Sequence, residues 1–185
     1  MSDIQLASGI LLLAEPFMMD PNFKRAVVLL CDHHKAGDLG FVLNRPMNMG
    51  INELIKDFPE FKSTVYYGGP VQTDSIYYVH SAGEILDDSI YVGKGLYWGG
   101  DFEKLKFLIQ TEIITPKDIK FFIGYSGWSE GQLREEVSTR SWIKAEMHPN
   151  YIFKTRYSNL WELVLHHMGD NYSVLARIPD HISWN

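Results

Sequence analysis

Short runs of aliphatic and aromatic residues, each broken by Gly, Pro, Asn or Asp, recur along most of the chain. β-branched and aromatic side chains suit a pleated, half-buried surface, and the punctuating residues suit turns. The pattern predicts strands over residues 10–14, 26–32, 40–44, 65–68, 76–81, 89–93, 120–125, 141–144 and 172–177. Gly93-Lys94-Gly95 joins Ile90-Tyr91-Val92 to Leu96-Tyr97-Trp98, and its glycines accept the positive φ of a tight hairpin.

Apolar residues at intervals of three and four predict four helices. Asn52 caps a short one that places Leu54, Ile55 and Phe58 on one face and stops at Pro59. Asp101 caps the next, where Phe102, Leu105 and Ile109 share a face while Glu103, Lys104 and Lys106 point outward. Ser129 and Gln132 form a capping box for a helix over 130–137. The last begins at Ser158, buries Leu160, Trp161, Val164, Leu165 and Met168, and ends on Gly169. Residues 147–155, with His148-Pro149-Asn150, read as a loop. Strands outnumber helices and do not alternate with them, which points to an α+β single domain over 1–185 with a mostly antiparallel sheet.

A chain of 185 residues buries about 70% of its extended surface, enough for one core without disulfide or metal. A composition 45% hydrophobic and 22% charged is that of a globular protein. The net charge of −6, with 17 basic residues in no run longer than two, argues against direct DNA binding. The 130–137 segment carries Arg134 against Glu130, Glu135 and Glu136, so it lacks a basic recognition face. Cys31 lies in an apolar run and reads as a buried small hydrophobe. The longest apolar stretch, 10–14, is far short of the roughly 20 residues of a membrane span. Asp3 and Glu15 also spoil a signal-peptide pattern. The expected location is the cytoplasm, without membrane attachment.

Six phrases follow one another in order: Gly9-Ile10-Leu11-Leu12-Leu13-Ala14 with Pro16; Met19-Asp20-Pro21-Asn22-Phe23 with Arg25; Val42-Leu43-Asn44-Arg45-Pro46; Tyr67-Gly68-Gly69-Pro70-Val71; Gly99-Gly100-Asp101-Phe102; and Gly124-Tyr125-Ser126-Gly127-Trp128 with Gly131-Gln132-Leu133. Together they resemble the AlgH/YqgE family of bacterial proteins over nearly the whole chain. The resemblance implies a cytosolic single domain in which bent sheets wrap into a pseudo-barrel, flanked here by about four helices. It also brings a label of transcriptional regulator, through a genetic link to alginate production. It implies no activity, cofactor or catalytic residue.

Among local features, Gly124-Tyr125-Ser126-Gly127-Trp128 follows an apolar strand and precedes a capped helix, the order in which a nucleophilic serine is held on a sharp turn. The hydrolase elbow is incomplete, because Trp128 stands where its second glycine belongs. A base is needed, for which His80 at a strand end, His33 and His34 are eligible. The competing account has Gly124 and Gly127 making a turn, Ser126 bonding backbone and Trp128 packing in the core. Arg45 could hold a carboxylate or phosphate, or else pair internally beside Asn44 and Pro46. Tyr67-Gly68-Gly69-Pro70-Val71 is followed by another strand rather than a helix, so it reads as a turn and not a phosphate loop. No metal site or cofactor is expected. His166 and His167 are adjacent on a helix and cannot share an ion, and Asp32-His33-His34 offers one ligand at most.

The sequence thus leads to a non-enzymatic cytosolic regulatory or binding protein. A small ligand or a protein is its partner, and Asn44, Arg45, Ser126 and Gly127 are the candidate ligand-binding residues. The alternative is a hydrolase with Ser126 as nucleophile and a histidine such as His80 as base.

Overall fold

A computed structural model of the chain describes residues 4–154 and 159–179. The elements run β1 (Ile10–Ala14), β2 (Val27–His34), β3 (Gly37–Val42), β4 (Pro46–Gly50), α1 (Ile51–Leu54), β5 (Thr64–Tyr67), β6 (Val71–His80), β7 (Ile90–Gly93) and β8 (Leu96–Trp98). They continue with α2 (Phe102–Gln110), β9 (Ile119–Ser129), α3 (Gln132–Ser138), β10 (Trp142–Glu146), α4 (Pro149–Phe153), α5 (Leu160–His167) and α6 (Asp170–Ala176). This is the mixed α and β single domain expected, built on one ten-stranded sheet.

The main path of the sheet is β10-β1-β2-β3-β9-β6-β8-β7. Every pairing is antiparallel except that of β5 with β9, which run parallel with Val65 opposite Phe121. The long β9 is the hub. Its residues 119–125 pair with β6, 121–123 with β5, and 126–129 with β3. The path does not close, since β10 and β7 remain its ends. It bends far enough, however, to bring β7 back toward its start. A Cβ on Gly9 would stand 2.7 Å from the Val92 carbonyl, and Val92 shares a core with Leu29 and Cys31.

β1 is apolar at every position because both of its faces are covered. Successive strand side chains point to opposite faces. Leu11 and Leu13 pack with Phe41, Phe122, Trp161 and Leu165, whereas Leu12 and Ala14 pack on the other side with Trp128, Leu133 and Trp142. A third cluster, with Phe58, Phe61, Leu105, Ile109 and Phe121, lies under α1 and α2. The last helices are tied to β1 by the Trp161 indole, which donates to the Ala14 carbonyl at 2.9 Å. Arg25 stacks its guanidinium 4.8 Å from the Trp161 ring centroid.

Several expectations change. Residues 172–177, predicted as a strand, form most of α6 and its C-cap Arg177; the helix starts after Gly169 at φ 105°. The β-branched and aromatic content of this segment misleads, because helix packing overrides so short a propensity signal. The predicted loop at 147–155 holds α4, with Pro149 in its first turn and the His148 ring capping it. Asn52 does not cap α1. Glu53 accepts from the Gly50 amide at 2.7 Å, and Asn52 instead ties Phe58, Pro59 and Phe61 backbone together. Phe58 lies beyond the helix, which stops at Leu54. Asp101 caps α2 as expected, accepting from Lys104 N at 2.6 Å. The start expected at Ser158 lies outside the described residues. The hairpin is present, with Lys94 at φ 49° and Gly95 at φ 77° in its turn.

Candidate functional site

The two phrases rich in glycine, Tyr67-Gly68-Gly69-Pro70-Val71 and Gly124-Tyr125-Ser126-Gly127-Trp128, form a single construction. Leaving β5, the chain crosses β9 with backbone against backbone. Gly68 N donates to Ile123 O at 2.8 Å, and Gly68 O accepts from Val42 N at 2.9 Å. Gly124 adopts φ 66°, and a Cβ on it would sit 2.5 Å from Gly69 O. Side chains on Gly68 or Gly69 would in turn collide with the backbone of residues 124–126. Only glycine permits both the left-handed conformation and this approach.

Ser126 sits within this crossing. It lies mid-strand in β9, not on a turn between strand and helix. Its hydroxyl is fully buried and donates to Gly68 O at 3.0 Å. Trp128 packs between Phe23 and Trp142. The Trp128 and Trp142 indoles both donate to Glu136 Oε2, at 2.9 and 2.8 Å. The expected capping box is half present: Gln132 Oε1 accepts from Ser129 N at 3.0 Å, while α3 itself begins after Gly131.

His80 is elsewhere. It pairs with Ile119 at the far end of β9, and Ser126 lies seven residues along, about 23 Å at the usual strand rise. The His80 ring is fully buried; its Nδ1 accepts from Ala82 N at 3.2 Å and its Nε2 donates to Gly99 O at 2.9 Å. Those bonds need a neutral ring, and burial pulls its pKa below the ordinary 6.5. The structure does not bring Ser126 and His80 together.

Asn44 and Arg45 hold backbone. Asn44 accepts from Val27 N at 3.0 Å and donates to Arg25 O at 2.9 Å. Arg45 donates to Lys24 O. Gly127 is exposed on β9 opposite Leu39. Among the described residues, no three His, Cys, Asp or Glu side chains gather as a metal centre would require.

Two clefts hold side chains with chemistry of their own. The first, about 420 Å³, lies at the β2–β3 hairpin and is lined by His33, His34, Lys35, Asp38, Glu130 and Arg134. His33 and Asp38 face each other across the ladder, and His33 Nδ1 bonds the almost fully buried Asp38 carboxylate. His34 Nε2 is 2.6 Å from Asp32. A carboxylate on Nδ1 fixes the imidazole so that Nε2 is left for another partner.

The second cleft, about 160 Å³, includes Lys62, Thr64, Tyr66, Pro116, Lys120 and Phe153. Lys120 is 7% exposed, and Nζ donates to Leu43 O at 3.1 Å and Ile152 O at 3.3 Å, 3.8 Å from the Tyr66 ring centroid. No carboxylate pairs with it among the described residues. Burial lowers its pKa from 10.5 to about 7. Sequence reading passes over this lysine because it heads the apolar run Lys120-Phe121-Phe122-Ile123 and looks like a strand-end charge. The available signal is a cation in a strand whose neighbours are all core residues.

The AlgH-like family model (DUF179) matches residues 11–173. A UPF0301 protein of Chlorobium phaeobacteroides is 42% identical over 176 residues, covering 95% of this chain and 94% of that protein. One from Cytophaga hutchinsonii is 40% identical over 175 residues, covering 94% and 96%. Among solved structures, a Corynebacterium diphtheriae protein superposes with TM-score 0.79 at 21% identity, covering 96% of this chain and 95% of that one, a likeness of fold. The solution structure of the AlgH protein from Pseudomonas aeruginosa gives TM-score 0.74 at 28% identity, covering 98% and 100%. Matched over residues 11–173 by the family model and at about 40% identity by relatives of nearly equal length, the chain belongs to the AlgH-like, UPF0301 family.

Proposed function

We propose that the protein is a non-enzymatic cytoplasmic binding protein with a regulatory role, acting through a small anionic ligand rather than through DNA. The observation that carries this reading is the hairpin cleft of about 420 Å³. Of the two carboxylates that line it, Asp38 is engaged by His33, so Lys35 and Arg134 face the cleft with Glu130. A pre-formed recess with a few convergent polar groups is what a small-molecule site requires. Asn44 and Arg45 are better read as ties to the backbone of residues 24–27, and Ser126 as a support of the β9 crossing, than as ligand contacts. The hydrolase alternative gains nothing from the geometry: the Ser126 hydroxyl is buried and committed to Gly68 O, and His80 lies at the other end of β9.

Native mass spectrometry of freshly purified protein tests the reading. The expected result is a bound small anion that is lost in Arg134→Ala. A bare-chain mass, together with no shift in melting temperature across a panel of nucleotides and organic acids, would count against it. So would a salt-sensitive, sequence-selective DNA gel shift.

A further inference from the structure

Lys120 and its cleft are separate from the hairpin site, and their chemistry does not depend on it. We propose that Lys120 is a covalent capture residue, forming a reversible imine with a small 2-oxo acid admitted to the cleft it shares with Lys62, Thr64 and Tyr66.

Three features support this. The neutral amine has two N–H groups and two carbonyl acceptors, Leu43 O and Ile152 O, which leaves its lone pair uncommitted. Burial, uncompensated by any acid among the described residues, shifts it toward that neutral form against the pull of the Tyr66 ring face on the cation. The lining of the cleft contains no carboxylate, while Lys62 is exposed at it and Ser63 and Thr64 supply hydroxyls. A carboxylated carbonyl compound is therefore matched in charge, and about 160 Å³ restricts it to a small one.

In the reaction, the Nζ lone pair forms a C–N bond to the carbonyl carbon while the C–O π pair moves to oxygen. A proton passes from nitrogen to that oxygen, and the resulting hydroxyl takes a second proton from solvent. Water departs as the remaining nitrogen pair closes the C=N bond, and the iminium returns one proton to solvent to give the imine. Carbonyl compound plus amine gives imine plus water, and hydrolysis reverses it. Protonated, the imine keeps one N–H, which suits Leu43 O, the nearer acceptor. Ile152 O belongs to the last turn of α4, where helix carbonyls ordinarily turn to solvent.

The test is reductive trapping of the full chain with pyruvate and cyanoborohydride at about pH 7.5, between the lowered and the ordinary lysine pKa, read by peptide mass mapping. The expected product is one adduct, on Lys120, ahead of every other lysine. Lys62→Ala should weaken trapping of pyruvate several-fold and leave trapping of acetaldehyde unchanged. Because Lys120→Arg forces a larger cation into the core, the pH profile of the unaltered chain provides an independent readout. Labelling of Lys120 should reach half its maximum near pH 7, whereas exposed lysines respond only toward about pH 10. An unlabelled Lys120, or one whose labelling rises in parallel with the exposed lysines, overturns the proposal. Equal trapping of acetaldehyde and pyruvate by the unaltered chain would overturn the choice of a 2-oxo acid.

Discussion

At the scale of single residues, the crossing of β5 over β9 separates positions that look alike in the sequence. The Ser126 hydroxyl makes one hydrogen bond, and its acceptor, Gly68 O, retains Val42 N as a second donor. Ser126→Ala should therefore cost only about 1 kcal/mol, the usual net value of one such bond. Gly124→Ala must place a Cβ 2.5 Å from Gly69 O at φ 66°, with backbone on both sides and nothing flexible to yield. It should cost about 3 kcal/mol or more, since strain and overpacking add. Urea unfolding of the two variants checks the contrast; equal losses would mean that the backbones at the crossing are not in tight contact.

At the scale of elements, α3 is fixed to the sheet by one carboxylate. Glu136 Oε2 accepts from the indoles of Trp128 in β9 and Trp142 in β10, while Oε1 accepts from Gln132 Nε2 at 2.9 Å. Glu136→Ala leaves two largely buried indole donors unsatisfied and should destabilise the protein by about 2–4 kcal/mol. Glu136→Gln keeps an acceptor and should recover part of that loss in the same thermal or urea measurement. The sequence marks Trp128 as a core residue but gives no sign of its partner, because the pairing depends on β9 and β10 meeting at α3. Legibility elsewhere follows the same division. β1 is readable to the residue, since an apolar run between polar turns has one reading. β9 is readable only to Tyr125, because Gly124 and Gly127 resemble a turn until the strand crossing them is known. β4 is missed altogether, since Pro46 and Asn48 carry no strand signal and their partner Tyr66 is distant in sequence. The Lys120 cleft is illegible for a related reason: Leu43, Tyr66, Lys120 and Ile152 converge only in three dimensions.

At the scale of the whole molecule, two buried bases make stability depend on pH. Both Lys120 and His80 have pKa values below their ordinary ones, so the unfolded chain binds more protons than the folded one across each interval. Stability from these groups therefore rises with pH. For Lys120 the window runs from about 7 to 10.5, and for His80 it lies at and below 6.5. Tyr78, raised from 10 to about 12, acts in the opposite sense but only above pH 10. The urea midpoint of the unaltered chain should climb from about pH 7 to about pH 9, within the Lys120 window, relative to that of Lys120→Met, which lacks the titrating amine. Parallel midpoints over that range would show that Lys120 is not held in its low-pKa state.

The position of β9 has a consequence for synthesis. Three earlier strands, β3, β5 and β6, await a partner that begins only at Ile119, and β1 waits longer still for Trp142. The strands from β1 to β8 must therefore leave the ribosome before the hub strand does, holding adhesive strand edges in the open meanwhile. Nascent molecules of this design should lean on chaperones until that late segment arrives and zips the earlier ones together.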